Sequence, residues 1–159
     1  MAASTGQPTA TALGEKFASN ISNKTTLITG ASPSSIAAQL AIALAPHNPK
    51  LIVLAGRSAS KLDETAKQIK DAAPGCPTRN LIVDFGSLDS VRKAAKEVNG
   101  YAENIDVPIL SAGIMAPPYR KSEDGFESSF ATNHLGHFLF VNRIIGKIQA
   151  AATESADVG

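Results

Sequence analysis

The sequence predicts a doubly wound α/β fold, in which a parallel sheet of about four strands lies between two layers of helices. Short segments that are apolar at every position alternate with longer segments of helical spacing along the 159 residues. Strands without polar positions are typical of a parallel sheet that is buried on both faces. Because parallel neighbours need a crossover connection, the intervening helices are expected to complete right-handed βαβ units.

The first half of the chain contains two strand–helix pairs. The β-branched run TTLITG is a strand that ends in glycine, and a largely apolar helix follows over Ile36–Leu44 until the turn at His47–Pro49. Leu51–Gly56 is the second buried strand. Ser58–Ala73 has helical spacing and ends at a Pro-Gly pair.

The second half continues the alternation. NLIVDF is the third strand, and Ser87 or Asp89 is the candidate cap of the next helix. Val107–Gly113 is the fourth strand, and a proline-rich loop follows it at residues 116–121. The last element is a long helix over Phe126–Ile148, whose apolar residues recur at near-helical spacing: Phe126, Phe130, Leu135, Phe138, Val141, Ile145 and Ile148.

Composition excludes several classes of protein. With a net charge of +1 and no cluster of basic residues, the chain has no field that would select nucleic acid or a membrane surface. No apolar run approaches the roughly 18 residues that a membrane helix requires. The single cysteine, Cys76, cannot form an intrachain disulfide, which favours a reducing, cytoplasmic location. We expect a loose arm over residues 1–22, one domain over 23–150 and a short tail over 151–159.

The segment TGASPSSIAAQLAIALA, Thr29–Ala45, is a candidate phosphate-binding turn. Between a first parallel strand and its helix, free N–H groups and the positive end of the helix face any anion that binds there. Glycine lets the backbone approach a pyrophosphate closely, but here only Gly30 remains and serine or alanine stands at the later glycine positions. The hydroxyls of Ser32, Ser34 and Ser35 can donate to phosphate instead. The alternative is a plain strand–helix turn.

Two side chains at the ends of strands add to this interpretation. Arg57 follows the second strand, where an acid would bind a ribose 2′-hydroxyl and an arginine suits a 2′-phosphate, which favours NADP over NAD. Asp84 ends the third strand, where a carboxylate can accept from an adenine amino group. The alternatives are a solvated arginine and a helix-capping aspartate.

Together these segments resemble the short-chain dehydrogenase/reductase family. The matching pieces are TLITGASPSSIA, the AGR after the second strand, LIVDF, ILSAGIMAPP and DGFESSFATNHLGHFLFVN, of which the last two are quite specific. The residues of these segments are most similar to those of the retinol-dehydrogenase-like and fungal branches of the family. The fungal resemblance suggests secondary metabolism as a possible biological context. The resemblance runs from about Lys24 to about Ile148. It implies a Rossmann-like, NADP-dependent oxidoreductase with strand order 3-2-1-4.

The resemblance also implies a role for each matching residue. Asn133 would be the helix asparagine of the family's catalytic tetrad, which holds a water in the proton relay. Arg57 would contact the 2′-phosphate, and Asp84 would contact the adenine. The residues expected along the phosphates and the nicotinamide ribose are Thr29, Gly30, Ser32, Ile36, Ser111, Ala112 and Gly113.

Three departures from the family pattern bear on activity. The phosphate loop is one residue longer than the commonest spacing and lacks the later glycines, so we expect NADP binding to be weakened. Ser111 stands where the family has asparagine. The third departure is the largest. The family uses a serine and a Tyr-x-x-x-Lys pair in which the lysine lowers the pKa of the tyrosine, but here Tyr101 is followed by Ile105 and Tyr119 by Glu123 at that spacing.

We therefore expect the cofactor-binding half of a truncated oxidoreductase that is inactive alone. The alternatives are a non-catalytic NADP(H)-binding module, and a reductase that is active only with a partner supplying the missing half. A different enzyme could use His134 and His137 as metal ligands, although no cluster of Cys, Asp or Glu joins them and ordinary helix histidines are the simpler interpretation. An uncovered Phe126–Ile148 helix would favour self-association.

Overall fold

The computed structural model describes residues 9–115 and 117–156 of the chain. Four strands form one sheet in the order β3-β2-β1-β4, and every neighbouring pair is parallel. The strands are Thr25–Thr29 (β1), Leu51–Gly56 (β2), Thr78–Ile82 (β3) and Val107–Ile109 (β4). The predicted fold class and strand order are confirmed.

The helices lie on both faces of this sheet. They are Ala10–Lys16 (α1), Ala18–Ile21 (α2), Ile36–Leu44 (α3), Ala59–Ala72 (α4), Leu88–Asn99 (α5), Ser128–Phe130 (α6) and Gly136–Ala156 (α7), and one π-helical turn, Ala131–Leu135, joins α6 to α7. The core cluster on one face joins the sheet to α3 and α4, and the cluster on the other face joins it to α5 and α7. No helix among the described residues has both the length and the apolar character needed to cross a membrane.

Strand β2 shows how the sheet separates the two clusters. All six of its residues are buried. Ile52 and Leu54 belong to the cluster under α3 and α4, whereas Val53 and Ala55 belong to the cluster under α5 and α7. This alternation is the two-residue period of a strand with helices on both sides, and it explains why the strand has no polar position.

Helix α3 packs on the sheet through small residues. Ala37, Ala38 and Ala41 are its buried residues, while Ile36 is 85% exposed. The helix bounds agree with the prediction, and the buried side chains of the helix are alanines rather than its larger apolar residues. Alanines let the helix axis approach the strands, and Ile36 is left at the mouth of the turn that precedes the helix.

The segment before β1 differs from the loose arm that we expected over residues 1–22. In its described part it contains α1 and α2, and the Thr9 hydroxyl caps α1 by accepting from the Ala12 N–H at 3.2 Å. Helix α1 lies close against α3, since a Cβ on Gly14 would come within 2.9 Å of the Ala43 carbonyl oxygen. Strong helix formers and a threonine cap account for this helix. Residues 1–8 lie outside the described part.

Both later strands end earlier than predicted because their backbone groups turn to side chains. Val83 N–H still donates to the Gly56 carbonyl at 2.9 Å, but Asp84 N–H donates to the Ser90 hydroxyl at 2.9 Å instead of to the sheet. Beyond β4, Ala112 N–H donates to a threonine hydroxyl of β1. The residues that follow β3 and β4 at this edge of the sheet therefore lie in loops rather than in strands.

The last helical region differs from the uniform helix predicted over Phe126–Ile148. It begins at Ser128, because the Glu127 carboxylate accepts the Ser129 and Phe130 N–H groups at 2.8 and 2.7 Å. These two bonds favour the charged carboxylate and lower the pKa of Glu127. Helix α7 then runs to Ala156, through residues that we expected to form a tail, and residues 157–159 lie outside the described part.

Candidate functional site

A cleft of about 300 Å³ opens at the carboxyl ends of the strands, where ligands bind in open α/β sheets. A second cleft of about 350 Å³ shares Arg57, Asp84, Ile114 and Thr132 with it, so the two form one groove. The first cleft is lined by eight of the residues predicted to contact cofactor: Gly30, Ser32, Ile36, Arg57, Asp84, Ser111, Ala112 and Gly113. The fold therefore brings together residues that are far apart in the sequence.

The backbones of the loops that follow β1 and β4 approach each other closely at Gly30. Its φ is +77°, in the region that favours glycine. A Cβ at Gly30 would lie 2.8 Å from the Cα of Ala112. The one glycine retained in the loop is thus needed both for its backbone conformation and for the contact that closes the floor of the cleft.

The three serines of the loop do different things. Ser32 lines the cleft. Ser35 also lines it and caps α3, because its hydroxyl accepts the Ala38 N–H at 3.0 Å. Ser34 is exposed with a φ of +63° and is not among the lining residues. Of the serines predicted to face phosphate, Ser32 and Ser35 therefore line the cleft, beside the amino end of the nine-residue helix α3.

Arg57 and Asp84 line the groove from the ends of β2 and β3. Arg57 is exposed, and it forms no ion pair within 4.0 Å in the described part of the chain. Asp84 Oδ1 accepts the Gly86 N–H at 2.9 Å, which makes a tight turn. The cap of α5 is Ser87, whose hydroxyl accepts the Ser90 N–H at 3.4 Å. Asp84 thus shapes its own loop rather than capping the helix, while it borders the groove.

Thr29 does not line the cleft but holds its wall from behind. The side chain is fully buried, and its hydroxyl accepts the Ala112 N–H at 2.9 Å. This bond replaces the backbone ladder between β1 and β4 at the point where the sheet opens. Ser111 and Gly113, on either side of Ala112, are therefore fixed to the end of β1.

Asn133 clamps the same loop from the other side. Its Oδ1 accepts the Ile114 N–H at 2.8 Å, and its Nδ2 donates to the Ile114 carbonyl at 2.9 Å. A Cβ on Gly113 would lie 3.2 Å from Asn133 Oδ1. Asn133 lies within the π-helical turn, a distortion that is frequent at functional sites. Both the oxygen and the nitrogen of the Asn133 side-chain amide therefore form hydrogen bonds to backbone groups.

The two histidines proposed as an alternative metal pair do not converge. His134 is exposed and stacks between Phe130 and Phe138, at ring centroid distances of 5.3 and 6.3 Å. His137 is buried and stacks on Phe85 at 4.0 Å. Burial lowers the pKa of His137. Among the described residues, no group of three His, Cys, Asp or Glu side chains could hold a metal ion.

The tyrosines and the cysteine lie away from the cleft. The Tyr101 hydroxyl donates to Glu97 at 2.9 Å, and burial together with that carboxylate raises the pKa of Tyr101 above its ordinary range. Tyr119 is 76% exposed. Burial raises the pKa of the Cys76 thiol, which keeps it in the less reactive form.

Sequence reasoning missed the contact that seats α7 beside the cleft. A Cβ on Gly136 would lie 2.2 Å from the carbonyl oxygen of Phe85, in the loop after β3. The available signal was an isolated glycine inside a helical pattern, which often has a packing reason. The cleft also has lining residues that were not predicted, among them Val83, Phe85, Ile114 and Thr132.

Comparison with known proteins identifies relatives of this chain. The short chain dehydrogenase profile matches residues 24–154. Retinol dehydrogenase 13 of Homo sapiens is 37% identical over 132 residues, which are 83% of this chain and 39% of the relative. Oxidoreductase fscI of Fusarium equiseti is 33% identical over 143 residues, which are 89% of this chain and 55% of the relative.

Solved structures share the fold. An uncharacterised protein from Mycobacterium paratuberculosis has a TM-score of 0.68 and 34% identity, and the match covers 82% of this chain and 46% of that one. The alcohol dehydrogenase of Thermococcus sibiricus complexed with 5-hydroxy-NADP has a TM-score of 0.63 and 23% identity, over 80% and 54% of the two chains. L-sorbose reductase of Gluconobacter frateurii complexed with NADPH and L-sorbose has a TM-score of 0.63 and 21% identity, over 82% and 49%.

These comparisons confirm the predicted resemblance, including its retinol dehydrogenase and fungal branches. The chain spans 39% of the length of the first relative and 55% of the second. Within that span the family profile covers most of the sequence, from residue 24 to residue 154. The chain belongs to the short-chain dehydrogenase family.

Proposed function

We propose that this chain is the NADP-binding half of a short-chain oxidoreductase. The observation that carries the proposal is the single groove that holds the loop after β1, Arg57, Asp84 and the loop after β4. Two solved structures with the same fold are complexed with NADPH or 5-hydroxy-NADP, which supports a nucleotide as the ligand.

The residues of the groove suit the successive parts of a dinucleotide. The amino end of α3 and the Ser32 and Ser35 hydroxyls would face the pyrophosphate. Arg57 has no carboxylate partner among the described residues, so its guanidinium is available for a 2′-phosphate. The second oxygen of Asp84 would accept from the adenine amino group. Ser111, Ala112 and Gly113 would flank the nicotinamide ribose.

Two backbone positions, Gly30 and Ser34, bear on how well the groove fits the cofactor. A Cβ on Gly30 would strike Ala112, so that glycine keeps the floor of the cleft open. Ser34 instead has a side chain at a positive φ, where glycine is favoured. We infer that the groove accepts the cofactor but that the loop is less adapted to phosphate than a glycine-rich loop, so binding is weakened.

The bound cofactor would supply hydride transfer, and the chain would bind and orient it. Asn133, which the family resemblance places in the proton relay, here fixes the backbone of Ile114 at the edge of the cleft. We propose that Asn133 sets the position of this loop in the cofactor-bound state. No Tyr-x-x-x-Lys occurs in the 159 residues, so the proposal assigns this chain no proton transfer of its own.

Thermal melts with NADPH and with NADH test the proposal. Arg57→Ala should weaken NADPH binding about tenfold or more and leave NADH binding unchanged, because it removes a charged hydrogen bond to the 2′-phosphate. Arg92→Ala, an exposed arginine on α5, is the matched control. A wild-type chain whose melting temperature does not rise with NADPH would overturn the proposal.

A second candidate is a chain that works only when another copy or a complementary half covers its open side. Four apolar side chains favour it, because Phe130 is 50%, Phe138 63%, Ile145 43% and Leu110 43% exposed. Large exposed apolar patches mark interaction surfaces. Sedimentation of the chain over a concentration series should show association, and a monomer at every concentration would remove the self-association form of this candidate.

A further inference from the structure

Three hydrogen bonds link helix α7 to the wall of the cleft through two buried side chains. His137 Nδ1 lies 3.1 Å from the Thr132 carbonyl oxygen, and His137 Nε2 lies 3.2 Å from Thr29 Oγ1. Thr29 Oγ1 in turn accepts the Ala112 N–H at 2.9 Å. Thr29 is fully buried and His137 is 7% exposed, so water does not compete readily for these groups.

The three hydrogen bonds form a series from Ala112 through Thr29 and His137 to Thr132. The donor and acceptor roles in this series follow from its two ends. The Thr132 carbonyl can only accept, so Nδ1 of His137 must carry a proton. The Ala112 N–H can only donate, so the Thr29 hydroxyl accepts there and directs its own proton elsewhere. Nε2 of a neutral His137 is the acceptor within reach. One arrangement therefore satisfies every group: Ala112 N–H to Thr29, Thr29 O–H to Nε2, and Nδ1–H to Thr132.

Resting on the proposed function, we propose that His137 is a positioning residue for the cofactor, acting through the Thr29 hydroxyl on the loop at Ala112. A neutral His137 completes the series and fixes the wall beside the nicotinamide ribose site. A protonated His137 turns Nε2 into a second donor toward Thr29. The threonine hydroxyl then loses the acceptor for its own proton, and its oxygen accepts from both Nε2–H and Ala112 N–H. Because the two donors share one oxygen, the bond to Ala112 N–H weakens.

The surroundings of His137 leave it as the group that titrates in this series. Thr29 faces it from β1, Thr132 from the π-helical turn, and Phe85 stacks on it from the loop after β3. None of these is ionisable. The nearest ionisable side chains in sequence on the packed elements are Asp84, beside Phe85, and His134, one turn earlier.

The burial of His137 sets the pH range in which its neutral form stabilises the fold. Burial lowers the pKa of His137 below the ordinary 6.5, so the unfolded chain binds the proton first as the pH falls. The stability that neutral His137 contributes is complete above about pH 6.5 and is lost as the pH falls through the folded value. Cofactor affinity should fall in the same direction.

Nitrogen NMR of the cofactor-free chain tests the series directly. In the uniformly ¹⁵N-labelled chain at pH 7.5, His137 should show a protonated Nδ1 and an unprotonated Nε2. The Ala112 amide signal should move with the protonation of His137 on lowering the pH. A protonated Nε2 at pH 7.5, or an Ala112 amide that is indifferent to His137, would overturn the proposal. This measurement needs no bound cofactor, so it decides the series even if the proposed function fails.

NADP⁺ titrations of three variants test the consequence. His137→Leu removes the acceptor and should weaken binding about threefold to tenfold at pH 7.5. His137→Gln keeps an acceptor near the position of Nε2 but cannot titrate, so its affinity should match wild type at pH 7.5 and exceed it once the pH is below the His137 pKa that the NMR titration gives. The phosphate of the ligand titrates equally with both chains and cancels in their ratio.

The exposed His134→Gln is the control and should follow wild type at both pH values. If His137→Leu does not fold, the Gln variant still decides the question. Equal pH profiles for wild type and His137→Gln would contradict the positioning role. No binding by any chain would count against the proposed function alone.

Discussion

The two strands that flank β1 have opposite environments. β2 is buried at all six positions and pairs on its far side with β3. β4 pairs with β1 over three residues, and Val107 is 40% exposed while Pro108 and Ile109 are half-buried. The same contrast divides helix α7, where Phe140 and Ile144 are buried but Phe138 and Ile145 face outward.

This contrast bears on two properties of the molecule, which are nucleotide binding and association with another chain. The groove proposed to bind nucleotide is bounded by the loops after all four strands, so it extends from the buried strands β1 and β2 to the edge strands β3 and β4. The exposed apolar side chains of α7, Phe138 and Ile145, line neither of the two clefts. We therefore expect substitutions on the covered side to damage folding and the cleft, and substitutions on the open side to change association.

The two faces of α7 give the largest expected difference. Phe140→Ala should destabilise the chain by about 3–5 kcal/mol, because it leaves a cavity in the cluster between α5 and the sheet. Phe138→Ala, two residues earlier and 63% exposed, should change the free energy of unfolding by about 0.5 kcal/mol or less. Urea unfolding of both variants at low protein concentration measures the difference. A large cost for Phe138→Ala would mean that this face is covered in solution.

Two glycines of α7 give the next difference, in opposite directions. Gly136→Ala should destabilise the chain by about 1–3 kcal/mol, because its Cβ would overlap the Phe85 carbonyl. Gly146→Ala has open space around its Cβ and should stabilise the helix by roughly 0.5–1 kcal/mol. Paired thermal melts check both signs. Stabilisation by Gly136→Ala would contradict the close seating of α7 against the loop after β3.

The sequence was sufficient for the sheet and for most of the groove. Apolar runs of the right length set β1 and β2, and their spacing by helices set the parallel order. The carboxyl ends of parallel strands meet at one edge, so Arg57 and Asp84 had to approach the loop at Gly30. These are consequences of chain connectivity, which a sequence expresses directly.

What the sequence did not express were contacts made by small or polar side chains. The apolar spacing predicted for the last helix runs through Phe138 and Ile145, which the structure leaves 63% and 43% exposed, and it does not include Phe140 and Ile144, which are buried. The proposed role of His137 depends on a threonine 108 residues earlier in the chain, and no local pattern predicts that pairing. The role of Asn133 likewise depends on the π-helical turn, which no residue preference signals.

The most direct test of the central claim is an NADPH titration of the ¹⁵N-labelled chain followed by amide NMR. We expect saturable shifts at Gly30, Arg57, Asp84 and the loop 111–114, at lower concentrations than NADH requires. The amides of Phe138 and Ile145 should not move. Shifts centred on those two residues, or no saturable shift in the groove, would contradict the assignment of nucleotide binding to the groove.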